Sequence, residues 1–505
     1  MYLFPILIHE NKYDTPKETN MFYIKDVTLD EVDALIIPVF EDKAARTEEL
    51  QKLIASGTFT GKENEMFVLP TIGETVKYTI YVGLGKTTAP RQGLTLRNAL
   101  SQAARKAEAL KTKKVAVKVA LSPKLCIGGN TKIITEAMSL ATYKFDKYKT
   151  EDKKSNTIAF EEVYIVGLPV SKLEAEKEVL ETSINVVEGV KIARDIVNEP
   201  SNHMYPKSLA KYVKHMGEEC GLQVEVMDEK QIKELGMEAF LTVGMGSEKK
   251  PRLIVMRHMG DPSSDYTLGL IGKGLTYDTG GYSIKPTDSM KTMHSDMGGA
   301  GAVIGTMYAI AKNKVKQNVV AVVAACENAI SGDSYKPGDI ISSMSGKTIE
   351  ILNTDAEGRL TLADAMTYMM RKEKVTEVID LATLTGAVLT ALGTSTTAVI
   401  TNNEAFYERL QASARKTGEQ FWQLPTFKEY KEMNKSEVAD LKNLGGKYAG
   451  TITAGLFVGE FVENDTPWMH LDIAGTAWHE SANSLNVKGA TGAPVRTLFH
   501  LINSR

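Results

Sequence analysis

Residues 353–360 read Asn-Thr-Asp-Ala-Glu-Gly-Arg-Leu, which places two carboxylates and one guanidinium at alternate positions. Alternate side chains of an extended segment point to the same face, so we expect Asp355, Glu357 and Arg359 to converge. Two acids beside a cation suit a divalent metal ion together with an anionic group. Short charged motifs also occur in solvated loops, so this interpretation depends on a second cluster upstream.

The second cluster follows the apolar, strand-like run at 267–272. Its charged residues are Lys273, Asp278, Lys285 and Asp296. Lys273 is expected at the end of the strand, where open α/β sheets bind their ligands, and Asp278 and Lys285 in the connection that follows. Asp296 precedes a Met-Gly-Gly run that predicts a helix start, where an anionic side chain is favoured. Taken singly, each residue also has an ordinary explanation as a turn, cap or surface residue.

Both clusters together supply four carboxylates and no histidine. These are Asp278, Asp296, Asp355 and Glu357. Carboxylates that share a site repel one another unless some are protonated, and a pair of divalent cations removes this conflict. Oxygen-rich ligation is compatible with Zn²⁺, Mn²⁺, Mg²⁺ or Co²⁺. A lysine beside dications loses its proton readily, so Lys273 is predicted as a neutral nitrogen ligand. Lys285 and Arg359 would polarise a substrate carbonyl and hold an anion.

Apolar runs alternate with helical patterns along the chain, which predicts an α/β fold. In the first third, strands are expected at 34–39, 79–85, 114–117 and 162–167, with a helix at 94–110. A length of 505 residues predicts two domains. We place the boundary at the start of a long charged helix, giving an N-terminal domain at 1–172 with a largely parallel sheet and a second domain at 173–505.

The second domain repeats the α/β pattern, and its predicted strands are 252–256, 267–272, 319–325, 377–382, 398–401 and a final strand beginning at Trp468. Gly-Gly pairs at 280–281, 298–299 and 445–446 indicate close turns at the rim of a site. The apolar start of the chain, residues 1–8, lacks a basic region and is predicted as a strand rather than a signal peptide.

Composition excludes several classes of protein. Hydrophobic residues make up 43% and charged residues 24% of the chain, and the net charge is −3, as in ordinary globular proteins that do not require nucleic acid. The longest compact apolar run, 319–326, is too short to span a bilayer. The three cysteines are widely spaced and odd in number, which predicts reduced thiols in a cytoplasmic protein.

Residues 353–360 resemble the signature of the leucyl aminopeptidase family, also called the cytosol aminopeptidases. Further segments resemble the flanking motifs of this family, in the same order: 272–286, 296–299, 343–348, 380–387 and 470–475. The resemblance spans about residues 193–501. It implies a smaller N-terminal α/β domain and a larger catalytic α/β domain, which has a central mixed sheet flanked by helices and begins with a linker helix.

The resemblance also implies roles for single residues. One tighter divalent cation would be held by Lys273, Asp278, Asp296 and Glu357, and a more exchangeable one by Asp278, Asp355 and Glu357. A bridging water would attack the peptide carbonyl with help from Lys285, and a bicarbonate at Arg359 would relay the proton. The pocket for the first side chain would be shaped by Met293, Thr383, Leu384, Gly386 and Ala474. The small side chain of Ala477 would leave room for bulky substrates.

The implied partners are peptide substrates, cleaved after their first residue, and other copies of the chain in a cytoplasmic homohexamer, with no membrane. Nucleic acid stays open as an alternative partner, in a DNA-binding or regulatory hexamer. The near-neutral charge disfavours it, but one local cluster of lysines favours it: Lys144, Lys147, Lys149, Lys153 and Lys154. Another two-metal amidase, such as a dipeptidase for Cys-Gly, is the third alternative.

Nucleotide and other hydrolase motifs are incomplete. A P-loop requires a glycine five residues before its Gly-Lys pair, and Ile80 and Ile341 occupy that position in two lysine-bearing turns. In the third turn, Gly274 follows Lys273 where Ser or Thr is needed. His479-Glu480 lacks the second histidine of a HExxH zinc motif.

Overall fold

The computed structural model describes residues 21–24, 31–45, 47–71, 76–150 and 159–505. The predicted opening strand at 1–8 lies outside these residues. Within them, no helix has both the length and the apolar character needed to cross a membrane. All three cysteines carry free thiols.

The strands are β1 Phe22–Ile24, β2 Ala34–Val39, β3 Met66–Pro70, β4 Tyr78–Gly83, β5 Lys114–Lys118, β6 Glu162–Val166, β7 Gln223–Met227, β8 Arg252–Met259, β9 Thr267–Asp278, β10 Asn318–Asn328, β11 Ile340–Ser342, β12 Thr348–Glu350, β13 Glu377–Ala382, β14 Thr396–Thr401, β15 Gln420–Gln423, β16 Leu441–Lys442, β17 Trp468–Asp472, β18 Trp478–His479 and β19 Gly489–Ala490. 

The α-helices are α1 Glu48–Ala55, α2 Gln92–Ala109, α3 Ile127–Leu140, α4 Leu173–Asn198, α5 Pro206–Cys220, α6 Glu229–Glu234, α7 Glu238–Gly244, α8 Thr287–Met290, α9 Gly298–Lys312, α10 Gly358–Tyr368, α11 Gly386–Leu392, α12 Glu404–Thr417, α13 Lys428–Glu432, α14 Gly450–Gly459 and α15 Val495–Asn503. Short 3₁₀ turns cover Val170–Lys172 and Met293–Ser295, and a π-helical turn, Met369–Glu373, continues α10.

The N-terminal sheet has six strands in the order β1-β6-β5-β2-β4-β3. Its pairs are parallel except β3 with β4, which confirms the prediction of a largely parallel sheet. The predicted strands at 34–39, 79–85, 114–117 and 162–167 coincide with β2, β4, β5 and β6 to within two residues. Strong apolar runs flanked by turn residues made these strands predictable.

The central sheet of the second domain has eight strands in the order β15-β14-β17-β13-β9-β10-β8-β7. Parallel pairs join β10, β9, β13 and β17, while β8 and β14 pair in the antiparallel sense with β10 and β17. The sheet is therefore mixed, as expected. Its parallel centre places the carboxyl ends of β9, β10, β13 and β17 at one edge.

Helices cover both faces of this sheet, and β10 shows why its sequence is continuously apolar. Val319, Ala321, Val323 and Ala325 belong to one buried cluster, which includes residues of α4, α9 and α15. The alternating residues 320, 322, 324 and 326 belong to a second cluster, with residues of α7, α10 and α14. A strand buried on both faces requires apolar side chains at every position.

A buried ion network joins the N-terminal helices to the end of the chain. Glu136 on α3 accepts hydrogen bonds from Arg97 on α2 (2.8 Å) and from Arg496 on α15 (3.1 Å). Arg496 also donates to the carbonyl of Thr417 (2.8 Å). Burial opposes the charge on Glu136, but the guanidiniums of Arg97 and Arg496 outweigh it and lower the pKa of Glu136 to about 2.

Glu136→Gln is expected to lower the free energy of unfolding near neutral pH by about 3–5 kcal/mol, because two buried guanidiniums lose their counter-charge. The folded pKa of Glu136 lies below its ordinary value of 4.5, so its contribution is present above pH 4.5 and is lost as the pH falls towards 2. Thermal unfolding of both proteins between pH 7 and pH 3 should show the difference shrinking with acidity. Glu174→Gln, in an exposed pair with Lys177, serves as the control and should change little. A difference that stays constant with pH would contradict the assignment.

Candidate active site

The sequence clusters meet at the carboxyl edge of the central sheet. Strand β9 carries Lys273 and ends at Asp278, and the connection from β9 to α9 carries Lys285 and Asp296. The turn before α10 carries Asp355 and Glu357, and Arg359 lies in the first turn of that helix. Residues separated by about 80 positions in the chain therefore face one another at this edge.

Lys273 forms the deep end of the site. Its ammonium donates to Asp296 Oδ1 at 2.8 Å and to the carbonyl of Thr383 at 3.0 Å. The same nitrogen lies 2.8 Å from Glu357 Oε1. The Lys273 side chain is only 4% exposed, and those of Asp296 and Glu357 are also buried. A lysine is thus enclosed by two carboxylates away from solvent.

Lys285 forms the more accessible end. Its ammonium lies 2.9 Å from Asp278 Oδ2 and also contacts Asp355 Oδ1. The Lys285 side chain is 16% exposed and that of Asp355 is 34% exposed. Ligand oxygens of Asp278, Asp355 and Glu357 all lie within 4.8 Å of one another. These three carboxylates therefore form a compact cluster between two ammonium groups.

Burial and mutual repulsion perturb the acids of the cluster. Burial, together with the neighbouring Asp278 carboxylate, raises the pKa of Glu357 to about 8. Burial also raises the pKa of Asp296 to about 6, against the opposing effect of Lys273. Burial disfavours the ammonium of Lys273, but the carboxylates of Asp296 and Glu357 outweigh it and raise the pKa of Lys273. The cluster is therefore electrostatically strained when only the two lysines compensate it.

Two predictions about local structure were wrong. Residues 355–359 do not form an extended segment, because α10 begins at Gly358 and the amide of Leu360 donates to the carbonyl of Glu357. Asp355 and Glu357 converge through a turn rather than through strand alternation. Lys273 lies inside β9 rather than at its end, because the pairing of β9 with β10 continues past a bulge at Thr276 as far as Asp278.

Two glycines permit this arrangement. A Cβ atom at Gly358 would lie 2.4 Å from Cε of Lys273, so a larger residue would displace the lysine. Gly280 has a φ of +84°, and a Cβ atom there would lie 2.9 Å from Asp355 Oδ1. Glycine is the residue that adopts a left-handed backbone without a steric penalty. Glycine is thus favoured at positions 280 and 358 because a charged side chain lies close to the backbone at each of them.

Arg359 is buried, and none of its hydrogen-bond donors has a partner among the described residues; its Nε is fully enclosed. Burial lowers the pKa of Arg359 to about 10, although the carboxylates of Glu357 and Asp472 oppose this effect. An enclosed guanidinium without a bonded anion can accept an anionic ligand.

Among the predicted pocket residues, Thr383 contacts Lys273 through its carbonyl. Thr383 donates its hydroxyl to Asp296 Oδ1 at 2.7 Å, and Leu384 follows it after β13. Gly386 begins α11 at an exposed position where an added Cβ atom would contact nothing within 4 Å. Ala474 is half-buried and donates its amide to Asp472 Oδ1. Met293 lies in the 3₁₀ turn before Asp296.

Comparison with known proteins decides the family. Residues 191–499 match the model described as "Cytosol aminopeptidase family, catalytic domain", and residues 38–152 match the model of its N-terminal domain. The chain belongs to the cytosol aminopeptidase family. It is accordingly a hydrolase of the metallo-aminopeptidase class. The predicted family, two-domain α/β fold and enzyme class are confirmed, while the boundary at 172/173 stays a prediction.

Relatives match over nearly the whole chain. A probable cytosol aminopeptidase of Clostridium perfringens is 49% identical over 493 residues, covering 96% of this chain and 99% of the relative. Among solved structures, a mutant of tomato leucine aminopeptidase is 32% identical with a TM-score of 0.85, covering 98% of both chains. The bottromycin maturation enzyme BotP in complex with Mn is 28% identical with a TM-score of 0.84, covering 94% of this chain and 99% of that one.

The donor set fits the metal ions on which the cytosol aminopeptidase family depends. Asp296 Oδ2, Asp355 Oδ1 and Glu357 Oε1 are buried and accept no hydrogen bond, although each contacts a lysine ammonium. Such oxygens are suitable ligands for Zn²⁺, Mn²⁺, Mg²⁺ or Co²⁺. Four carboxylates against two ammoniums leave a net charge of −2 when all are ionised, and this charge favours cations.

Several buried residues that support the site were missed from the sequence. Asn328 ends β10 and donates to Asp278 Oδ1, and Asn443 bonds the backbone of the turn at 352–356. Asp472 ends β17 and accepts hydrogen bonds from the hydroxyl of Thr385, at 2.6 Å, and from the backbone amide of Leu384. Polar residues directly after apolar runs were the available signal, but nothing local identified their partners.

The lysine cluster that favoured nucleic acid is partly neutralised. Lys144 lies 2.5 Å from Glu108, and Lys147 contacts Glu199. Lys149 is exposed, while Lys153 and Lys154 lie outside the described residues. Ion pairing at two of these positions weakens the case for a phosphate-binding surface in this aminopeptidase.

Proposed function

We propose that this chain removes the first amino acid from peptides, with broad, leucine-type preference, by means of two divalent cations. The observation that carries the proposal is the cluster of Asp278, Asp355 and Glu357, whose oxygens lie within 4.8 Å of one another between a buried and a more accessible lysine. Cations at such a cluster replace the repulsion among carboxylates with attraction.

The site has a buried end and an accessible end, which supports two cation positions that differ in exposure. Lys273, Asp278, Asp296 and Glu357 would hold the cation at the buried end. Asp278, Asp355 and Glu357 would hold the cation at the accessible end, where Asp355 is 34% exposed. When bound, the cations supply Lewis acidity and lower the pKa of water at the site. The greater exposure of the second position explains why its cation would exchange more readily.

Lys285 and Arg359 are proposed to act on the reacting groups directly. The Lys285 side chain is 16% exposed and its ammonium lies at the accessible end, so it can donate a hydrogen bond to the carbonyl oxygen of the scissile peptide bond. Arg359 is enclosed with its donors unpaired, which suits a small anion such as bicarbonate that takes up a proton.

The side chain of the first residue is proposed to bind among the loops already described, at Met293, Thr383, Leu384, Gly386 and Ala474. The open space at Gly386 supports a pocket of generous size. We further propose a location in the cytoplasm, since the relatives carry the name cytosol aminopeptidase, and a homohexamer, which the motif resemblance implies. Substrate profiling with Leu-Gly and Cys-Gly distinguishes a broad enzyme from a specialised dipeptidase.

Removal of metal tests this function. Protein treated with a chelator is expected to lose hydrolysis of Leu-p-nitroanilide, because four carboxylates then lack their cations, and to recover it with Mn²⁺ or Zn²⁺. The rate is measured before chelation, after dialysis and at increasing cation concentration. Mg²⁺ and Co²⁺ are titrated in parallel to rank the cations.

An N-acetylated substrate provides the control, since an enzyme that requires a free α-amine should not cleave it. Undiminished turnover by protein shown by elemental analysis to be free of metal would contradict the proposal.

A further inference from the structure

Asn328 links two segments of the site that carry different carboxylates. It is the last residue of β10 and is fully buried. Its side-chain amide donates to Asp278 Oδ1 at 2.8 Å and to the carbonyl of Thr354 at 3.0 Å. Thr354 directly precedes Asp355, so one amide group bonds both the end of β9 and the turn that carries Asp355.

The bond to Asp278 selects which of its oxygens faces the site. Asp278 Oδ1 accepts from Asn328 and also from the amide of Gly280 at 2.9 Å. Asp278 Oδ2 is instead directed at Lys285. Two donors on one oxygen therefore hold the carboxylate in a fixed rotation and leave the other oxygen for a ligand. Partners of this kind determine how well a carboxylate binds metal.

The orientation of the amide is fixed by its surroundings. Exchange of its nitrogen and oxygen would bring Asn328 Oδ1 against the oxygens of Asp278 and Thr354, which are both acceptors. The backbone carbonyl of Asn328 is also bound, by the amide and hydroxyl of Thr279 at 3.0 and 2.9 Å. Asn328 Oδ1 itself is buried without a hydrogen-bond partner. Burial of Oδ1 without a hydrogen-bond partner costs free energy, while Nδ2 of the same side chain donates two hydrogen bonds.

We propose that Asn328 is a positioning residue that fixes Asp278 relative to Asp355 and thereby sets the affinity for the more exchangeable cation. This inference rests on the proposed two-cation function and adds a determinant of cation affinity to it. The more exchangeable position takes Asp278, which Asn328 bonds directly, and Asp355, whose preceding carbonyl at Thr354 is held by Asn328 together with the Tyr335 hydroxyl. The tighter position keeps three ligands that the Asn328 side chain does not bond: Lys273, Asp296 and Glu357.

The test compares Mn²⁺ binding by the metal-free full chain and by Asn328→Leu, which keeps the branched shape of the side chain and removes its hydrogen-bond donors. Binding is measured by calorimetry and by electron paramagnetic resonance of free Mn²⁺. The dissociation constant of the weaker site is expected to rise about 10–100-fold, while that of the tighter site changes much less. Activity lost at limiting Mn²⁺ should return at high Mn²⁺.

Asn434→Leu is the matched control. Asn434 is also a buried asparagine with one partnerless Oδ1, and its Nδ2 donates to the carbonyl of Thr453 at 2.8 Å, but its side chain bonds none of the predicted ligands. It should bind Mn²⁺ like the unaltered chain. Asn328→Ala, which cannot overfill the site, repeats the measurement if the leucine variant does not fold.

The Mn²⁺ measurements distinguish failure of the inference about Asn328 from failure of the proposed two-cation function. Unaltered protein that binds no Mn²⁺ would overturn both. If the unaltered chain binds two cations and the foldable Asn328 variant binds both with unchanged dissociation constants, the inference is overturned and the two-cation function stands. An equal weakening in Asn434→Leu would assign the effect to general destabilisation and would also overturn the inference.

Discussion

Glu357→Gln is expected to reduce kcat/KM on Leu-p-nitroanilide by about a thousand-fold or more and to release at least one cation per subunit. Glu357 is buried between Lys273 and the cluster of Asp278 and Asp355. The substitution removes one negative charge while preserving size. A thousand-fold reduction in kcat/KM corresponds to a loss of about 4 kcal/mol of transition-state stabilisation, because each factor of ten equals about 1.36 kcal/mol.

Activity and metal content have to be measured on the same sample, because Glu357 is proposed as a metal ligand. Elemental analysis after dialysis against a fixed concentration of Mn²⁺ gives the number of cations per chain. Glu327→Gln is a suitable control, since Glu327 lies near the end of β10 but binds the hydroxyl of Ser247 at 2.7 Å. A Glu357→Gln protein that retains two cations and normal turnover would remove Glu357 from the proposed ligands.

The chemical character of the site was readable from sequence because it depends on residue types. Carboxylates without histidine indicated hard cations, and the order of the motifs indicated the family. Strand and helix positions followed from the periodicity of apolar residues, as in β2 and β13. These features are local, so no knowledge of distant contacts was needed.

The local geometry around Lys273 and Arg359 could not be derived in the same way. β9 continues through Thr276 and Tyr277 because β10 pairs with it, and that pairing includes a bulge with no clear sequence signal. The turn at 355–357 is followed by a helix whose first residue, Gly358, leaves no room for a Cβ atom beside the Lys273 side chain. Both features involve a contact with a segment that is distant in the chain.

The bonding partners of buried polar residues such as Asn328 were even harder to predict from the sequence. Asn328 bonds Asp278 across 50 positions and Thr354 across 26, and the pair of Glu136 with Arg496 spans 360. A single asparagine after an apolar run has many ordinary interpretations as a turn residue. Which side chain it will meet depends on the order of strands in the sheet, and that order was not predictable from spacing.

Lys285→Met is expected to lower kcat by about 10²–10³-fold while both cations remain bound. The ammonium of Lys285 would donate to the substrate carbonyl, and removal of one such donor costs about 2.7–4 kcal/mol in the transition state. Methionine keeps the length of the side chain without its charge. Cation affinity should be retained or increased, because an ammonium no longer competes for Asp278 and Asp355.

Measuring kcat and cation binding separately shows whether Lys285 acts on the substrate or only holds the site together. Lys291→Met is the matched control, since Lys291 lies six residues away, is 67% exposed and pairs with Asp288. It should leave kcat and Mn²⁺ binding unchanged. If Lys285→Met instead loses its cations together with its activity, Lys285 acts by holding the carboxylates in place. If turnover is unchanged, the substrate carbonyl is polarised without it.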